Sequence, residues 1–298
     1  MREAGDDLST PISIVIPAHD EGAVIGRLMT ALADRTDRDE VVVVCDGCGD
    51  DTALVVRRFA GVVVIEQTRG GKPAALNRGD QVASIFPRFY VDADVVVTAA
   101  ALRDVARRMV GPVLAGAPRL RVDLSGASWL VRQYYDIWTR LPYAWESTIG
   151  SGVIGLNARG RARFSTFPPL IGDDEFVRRL FRVEERVREP DGEFVVFAPR
   201  RLSPLVKIKA RGRLGILEQD RLFGPAPVAF GRTGRTEFGA LVRDLRRWPS
   251  LLVFVGVRSV IQALSTSRAL RRQFGGWARD DSSRVPLAGS PGSPDGLR

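Results

Sequence analysis

The chain has 298 residues, of which 45% are hydrophobic and 27% charged, an ordinary globular composition with length enough for a sizeable core. Its net charge of +9 is concentrated at one end, because residues 199–275 hold 16 Lys and Arg against 4 Asp and Glu, which leaves the remainder slightly acidic. That placement, without a helix-turn-helix, zinc-finger or base-stacking motif, argues against nucleic acid as a partner. The opening residues MREAGDDLSTP lack the apolar core of a signal peptide, so a cytoplasmic location is expected.

Pro11 opens the apolar run ISIVIP, expected to be a buried strand, and Val24, Ile25, Leu28 and Leu32 then recur at helical spacing. The alternation repeats three times. Strand EVVVVC (40–45) precedes helix DTALVVRRFA (51–60); strand VVVIE (62–66) precedes helix KPAALNRGDQVAS (72–84), with Pro73 in its first turn; strand RFYVD (88–92) precedes a helix starting near Thr98. Continuously apolar strands alternating with helices predict an α/β fold, a mostly parallel sheet with helices on both faces. Residues 117–147, with Arg119, Trp129, Tyr134, Tyr135, Trp138 and Trp145, read as a helix whose aromatics either line a binding site or fill the core.

In such sheets ligands gather at the carboxyl ends of the strands. The unusual residues fall there: PAHDE (17–21), DGCGDDT (46–52), QTRGGK (67–72) and DAD (92–94). Asp92 and Asp94, two apart on a strand, point to one side about 6–7 Å from each other. Two such carboxylates form either an exposed turn or a site for a divalent cation carrying a phosphate. Cys45 and Cys48 are the only cysteines; a structural zinc site needs four ligands, and the single His19 is distant in sequence, so no metal or redox role is expected of them.

The succession SIVIPAHDE, DGCGDDT, RGGKPAALNRG and VDADVVV resembles the nucleotide-binding half of family 2 glycosyltransferases, which have the Rossmann-like GT-A fold. The likeness continues in GSGVIGLN (150–157), which resembles the strand flooring the acceptor pocket, and in IGDDEFVRRL (171–180), which resembles the catalytic-base segment. It covers about residues 11–215. The implied organisation is an N-terminal extension (1–10), a GT-A domain (11–220, with a nucleotide-sugar half to 98 and an acceptor half from 99), a basic and apolar helical region (221–275) and a disordered tail (276–298).

The resemblance also implies roles. Pro17, His19, Glu21 and Asp46 match nucleoside-binding positions, although Cys45 stands where many members carry a further Asp. Lys72 would approach the nucleotide, with Asn77 behind it. Asp94 would coordinate Mn²⁺ or Mg²⁺ bridging the donor diphosphate, and Asp92 would contact the ribose or the metal's water shell. Asp174, or Asp173, would take the proton of the acceptor hydroxyl, giving inversion at the anomeric carbon. Lys209, Arg211 and Arg213 would close over the diphosphate, but the Gln and Trp of a QxxRW segment are absent, which favours single addition over processive synthesis.

WPSLLVFVGVRSVIQAL (248–264) contains Pro249, Arg258 and Gln262 and falls short of a spanning length, so it is expected either to lie at an anionic membrane surface or to pack in the core. GGWARDDSSR after it is similar to tails of actinobacterial, membrane-associated members. The expected activity is transfer from a UDP or GDP sugar to a hydroxyl acceptor of lipid-linked or cell-envelope type. The rivals are a sugar nucleotidyltransferase, which would carry a GxGTR-like loop where this chain has PAHDE, and a non-catalytic relic that binds neither metal nor nucleotide sugar.

Overall fold

A computed structural model describes residues 10–141, 149–187, 190–225, 239 and 241–271. The strands are β1 (Ser13–Ala18), β2 (Glu40–Asp46), β3 (Val62–Gln67), β4 (Arg88–Val91), β5 (Val96–Val97), β6 (Ala115–Gly116), β7 (Arg119–Asp123), β8 (Val153–Leu156) and β9 (Glu193–Phe197). The α-helices are α1 (Gly22–Ala31), α2 (Thr52–Val56), α3 (Lys72–Val82), α4 (Ala99–Arg108), α5 (Trp129–Trp138), α6 (Ala158–Arg161), α7 (Asp173–Arg179), α8 (Leu202–Phe223) and α9 (Trp248–Leu270).

The main sheet runs β3-β2-β1-β4-β8-β6. Its first four strands are parallel, as the apolar runs predict, whereas β8 pairs antiparallel with both β4 and β6. Alternate residues of each strand serve opposite faces. Ile14 and Ile16 of β1, with Val41 and Val43 of β2, join the core under α1, α2 and α4, while Val15, Val42 and Val44 join the core under α3. Burying each of these side chains contributes about 1.5–3 kcal/mol. Gly79 brings α3 close to the sheet, since a Cβ there would meet Val15 at 2.4 Å.

The boundaries depart from the sequence reading where local chemistry overrides periodicity. The helix expected over 51–60 ends at Val56 and closes in a turn. Strand β4 ends at Val91, one residue before the expected end, and the Asp92 amide still donates to the carbonyl of Gly152 at 2.8 Å, in line with the β4–β8 register. The single helix expected over 117–147 divides into strand β7 and helix α5; Arg119 lies on the strand, and Trp145 falls outside the described residues. Strand β7 pairs parallel with β9, which pairs antiparallel with β5, forming a small second sheet. The basic segment at residues 207–215 lies in the interior of the 22-residue helix α8.

A third core joins the second sheet to the C-terminal helices: Leu120 and Val122 meet Tyr134 and Trp138 of α5, Leu205 of α8, and Phe254, Val257 and Ile261 of α9. Helix α9 runs on to Leu270, 23 residues, longer than the expected 248–264. With the preceding turn it forms the one helix among the described residues, Leu245–Leu270, that is long and apolar enough to cross a membrane by length and composition. One side of it packs inward, while Leu252, Val255, Val260 and Leu264 are exposed. The tail expected to be disordered lies outside the described residues.

Candidate active site

The parallel strands bring PAHDE, DGCGDDT, QTRGGK and DAD to one edge of the sheet, and α7 approaches that edge from the acceptor half. Lys72, at the first position of α3, joins the two. Its Nζ lies 2.7 Å from Asp92 Oδ1 and 2.9 Å from Asp173 Oδ2. Burial works against the ammonium, but Asp173 and Asp92 outweigh it and hold Lys72 well above the ordinary lysine range, so it remains a cation. Burial, with the like charges of Asp174 and Asp92, pushes the Asp173 carboxyl up against the pull of Lys72.

Asp174 faces elsewhere. Its Oδ2 accepts from the Ser151 amide at 3.2 Å and its Oδ1 from the Glu175 amide at 2.9 Å. Gly150 and Gly152 flank Ser151 with φ of +115° and +108°, and this backbone, which glycine tolerates best, turns the loop onto Asp174. Asp92, Asp94 and Asp174 line one cavity of about 460 Å³, whose further walls come from β7, β9, α5, α8 and α9. Asp92 and Asp94 supply only carboxylate oxygens, a donor set that fits Mg²⁺ or Mn²⁺ with substrate phosphates completing the shell.

The residues expected at the nucleoside are placed deeper than expected. Asp46 is fully buried, and its oxygens accept from the Gly70 amide at 2.7 Å, the Gly71 amide at 2.8 Å and the Gln67 side chain at 2.9 Å. It therefore holds the glycine loop that leads into Lys72. Pro17, His19 and Glu21 are buried as well. His19 Nδ1 lies 2.7 Å from the carbonyl of Asp46, and the Glu21 amide donates to the Thr52 hydroxyl at 2.8 Å. Asn77, expected behind the nucleotide, instead bridges to the backbone of Phe167 at 2.7 and 3.0 Å.

Although distant in sequence, His19 comes together with Asp20 and Cys48, their ligand atoms within 4.8 Å of one another. This proximity corrects the sequence argument, but three atoms fall short of a four-ligand structural zinc site. The Cys45 thiol holds the Cys48 thiol down at about 7, against the opposing effect of burial.

Of the basic trio on α8, Lys209 and Arg213 line the cavity, and Arg211 is not among its lining residues. Lys209 and Arg213 are one turn apart on the same helix face. Arg211 lies between them in sequence and belongs to a different side of the helix. Lys209 Nζ sits 4.2 Å from the Trp138 ring centroid and 5.5 Å from that of Tyr135. Burial pushes this ammonium down to about 8, with Asp174 opposing. Two further lining residues, Arg258 and Gln262, come from α9. Their sequence signal was present, as two polar side chains four apart interrupting an apolar helix, but only packing shows that this face meets a cavity.

The model of the glycosyl transferase family 2 matches residues 13–164, and the chain belongs to that family. No curated protein matches the sequence. Among solved structures, mannosyltransferase PcManGT from Pyrobaculum calidifontis, in complex with GDP-Man and Mn²⁺, is similar with a TM-score of 0.57 at 20% identity over 91% of this chain and 83% of that one. Glucosyl-3-phosphoglycerate synthase from Mycobacterium tuberculosis, in complex with Mn²⁺, UDP and glucosyl-3-phosphoglycerate, is similar with a TM-score of 0.52 at 18% identity, over 74% of this chain and 82% of that one. The fold is therefore GT-A, and the class of activity that the family defines is glycosyl transfer.

Proposed function

We propose that this chain is an inverting, metal-dependent hexosyltransferase acting at the inner face of a cell membrane, with a UDP or GDP sugar as donor and a lipid-linked or cell-envelope hydroxyl as acceptor. The observation that carries this reading is the shared cavity of Asp92, Asp94 and Asp174. It sets a pair of oxygen ligands and a separate carboxylate around one space, as direct displacement requires. The solved relatives support the donor and the metal, since the mannosyltransferase holds GDP-Man with Mn²⁺ and the synthase holds UDP with Mn²⁺.

Asp94 and Asp92 would hold Mn²⁺ or Mg²⁺, which when bound supplies Lewis-acid stabilisation of the departing nucleoside diphosphate. Lys72 fixes Asp92 by ion pairing and adds positive charge at the same edge. Asp174 is the base: the acceptor oxygen bonds to the anomeric carbon, its proton passes to the Asp174 carboxylate, and the bond from that carbon to the diphosphate oxygen breaks. The pair leaves with the diphosphate. Asp173 is less suited to this step because Lys72 engages it, so it serves as the counter-charge that positions α7. Asp46 acts through the Gly70–Gly71 loop rather than by touching the base.

The test is a thermal-shift titration with Mn²⁺ and UDP or GDP, followed by a nucleotide-sugar panel scored for slow donor hydrolysis. Asp94→Ala should abolish the metal-dependent shift. Asp174→Asn should keep that shift and lose transfer by about 10²–10⁴-fold, the contribution of a positioned general base. Normal transfer by Asp174→Asn rejects the assignment of the base.

A further inference from the structure

Besides its carboxylates, the cavity is lined by Tyr134 and Trp138 of α5, Ile208 and Ile216 of α8, Ile261 of α9 and Leu120 of β7. Three cations, Lys209, Arg213 and Arg258, share this lining. Among the described residues, no carboxylate lies within ion-pair distance of Lys209 or Arg213, and the Arg213 Nε is buried without a hydrogen-bond partner. Cations held against aromatic and aliphatic walls with no carboxylate in direct contact are unfavourable until an anion joins them.

Helix α9 connects this interior to the outside. Arg258, Ile261 and Gln262, at spacings of three and four, form its cavity face. Leu252, Val255, Val260 and Leu264 on the same helix are 42–70% exposed. Arg246 precedes the helix, beside Arg247, which is ion-paired with Asp136 and Asp244, and Arg268 and Arg271 stand at its end. An apolar face between arginines complements the anionic surface of a bilayer.

Resting on the glycosyl-transfer reading, we infer that the acceptor is an anionic amphiphile delivered from a lipid bilayer. Its charged headgroup is bound by Lys209 and Arg213, its hydroxyl reaches Asp174, and its apolar chain lies between α5, α8 and α9. Lys209 and Arg213 thus read the acceptor, in place of the diphosphate contact that the sequence suggests.

The experiment uses the full chain with Mn²⁺ and UDP, and separately GDP, titrated calorimetrically with dihexanoylphosphatidylglycerol below its micellar concentration. This probe combines an anion, hydroxyls and apolar chains. The comparators are dihexanoylphosphatidylcholine, with the same chains and no net charge, and glycerol 3-phosphate, with the anion and hydroxyls alone. The expected result is a Kd for the anionic lipid about tenfold or more below both comparators, and a rise of about fivefold or more in that Kd for Lys209→Met and for Arg213→Met. Equal binding of glycerol 3-phosphate overturns the proposal in favour of a soluble phosphorylated acceptor. Equal binding of the zwitterionic lipid overturns the charge reading, and both comparisons need only the unaltered protein. Loss of the Mn²⁺–nucleotide thermal shift in Lys209→Met or Arg213→Met, with an unchanged circular-dichroism spectrum, returns those residues to the donor and also overturns the proposal. If the unaltered chain binds the anionic lipid but shows no Mn²⁺–nucleotide shift, the glycosyl-transfer reading fails and the lipid loses its role as acceptor.

Discussion

Lys72 and Asp173 form a 2.9 Å ion pair that ties the first residue of α3 to the first residue of α7, and the same ammonium holds Asp92 at 2.7 Å. Helix α3, Asp92 after β4, and helix α7 are thereby joined by one largely buried cation. Without it, three carboxylates would face one another across a desolvated edge.

Lys72→Met should therefore destabilise the protein by about 3–5 kcal/mol near pH 8, because it leaves the largely buried Asp173 carboxyl unpaired. The sign of the pH dependence follows from the same cause. Burial already pushes the Asp173 carboxyl up against the pull of Lys72, and without Lys72 it rises further, so the variant regains stability as pH falls and this carboxyl becomes neutral. Parallel thermal denaturation at pH 8 and pH 5 should show the gap in Tm between native and variant narrowing at pH 5. A gap independent of pH would mean that Lys72 contributes packing only.

Lys209 gives acceptor affinity a pH dependence. It faces Asp174 from α7, Arg213 on its own helix, Arg258 on α9, Tyr134 and Tyr135 on α5, and Asp92 and Asp94 across the cavity. Its folded value of about 8 lies below the ordinary 10.5, so charging it opposes folding below pH 8, and that penalty is relieved as pH rises from 8 towards 10.5. An anionic ligand favours the charged form. Its affinity should be highest below pH 8 and decline above it, and Lys209→Met should flatten the profile in calorimetric titrations at pH 7, 8 and 9.

Cys48 should be the reactive thiol. Cys45 is buried and its thiol is pushed far up by its hydrogen bond to Cys48, whereas Cys48 is only half-buried and is held at about 7 against an ordinary 9.0. Iodoacetamide should modify one cysteine, identified as Cys48 by peptide mass spectrometry, with a rate half-maximal near pH 7. Equal labelling of both, or a midpoint near 9, would contradict this.

The outward face of α9 should determine membrane attachment. Leu252 is 70% exposed, so Leu252→Asp should leave the unfolding free energy within about 0.5 kcal/mol of that of the parent. In co-sedimentation with vesicles containing phosphatidylglycerol, the same variant should be recovered several-fold less in the pellet. Added salt should weaken the native protein's attachment, since arginines flank the helix. Unchanged sedimentation of Leu252→Asp would remove the membrane from the function proposed above.

The first ninety residues were largely legible in advance because their order is local. Val41–Val44 and Ile14–Ile16 are apolar on both sides, which states a buried parallel strand before any neighbour is known. The same rule set Asp92, Asp94 and Lys72 at one edge of the sheet, where the structure has them. The acceptor half was harder to read, because β7 and α5 share an aromatic and basic composition that also suits one long helix, and only the pairing of β7 with β9 divides them.

What the sequence determined by itself is therefore the parallel layer, the edge at which its strands end and the chemical types gathered there, since these follow from periodicity and from side chains that every strand end presents alike. What only the tertiary structure decided is which carboxylate meets which partner. Asp173 and Asp174 are adjacent in sequence and equivalent in composition, yet Lys72 engages one while the other lines the cavity. Likewise, Asp46 turned inward to the Gly70 and Gly71 amides, and Arg258 of a C-terminal helix reached the site. Each of these assignments depends on contacts between residues far apart in the chain, and no local pattern encodes which of two like charges will meet a distant ammonium.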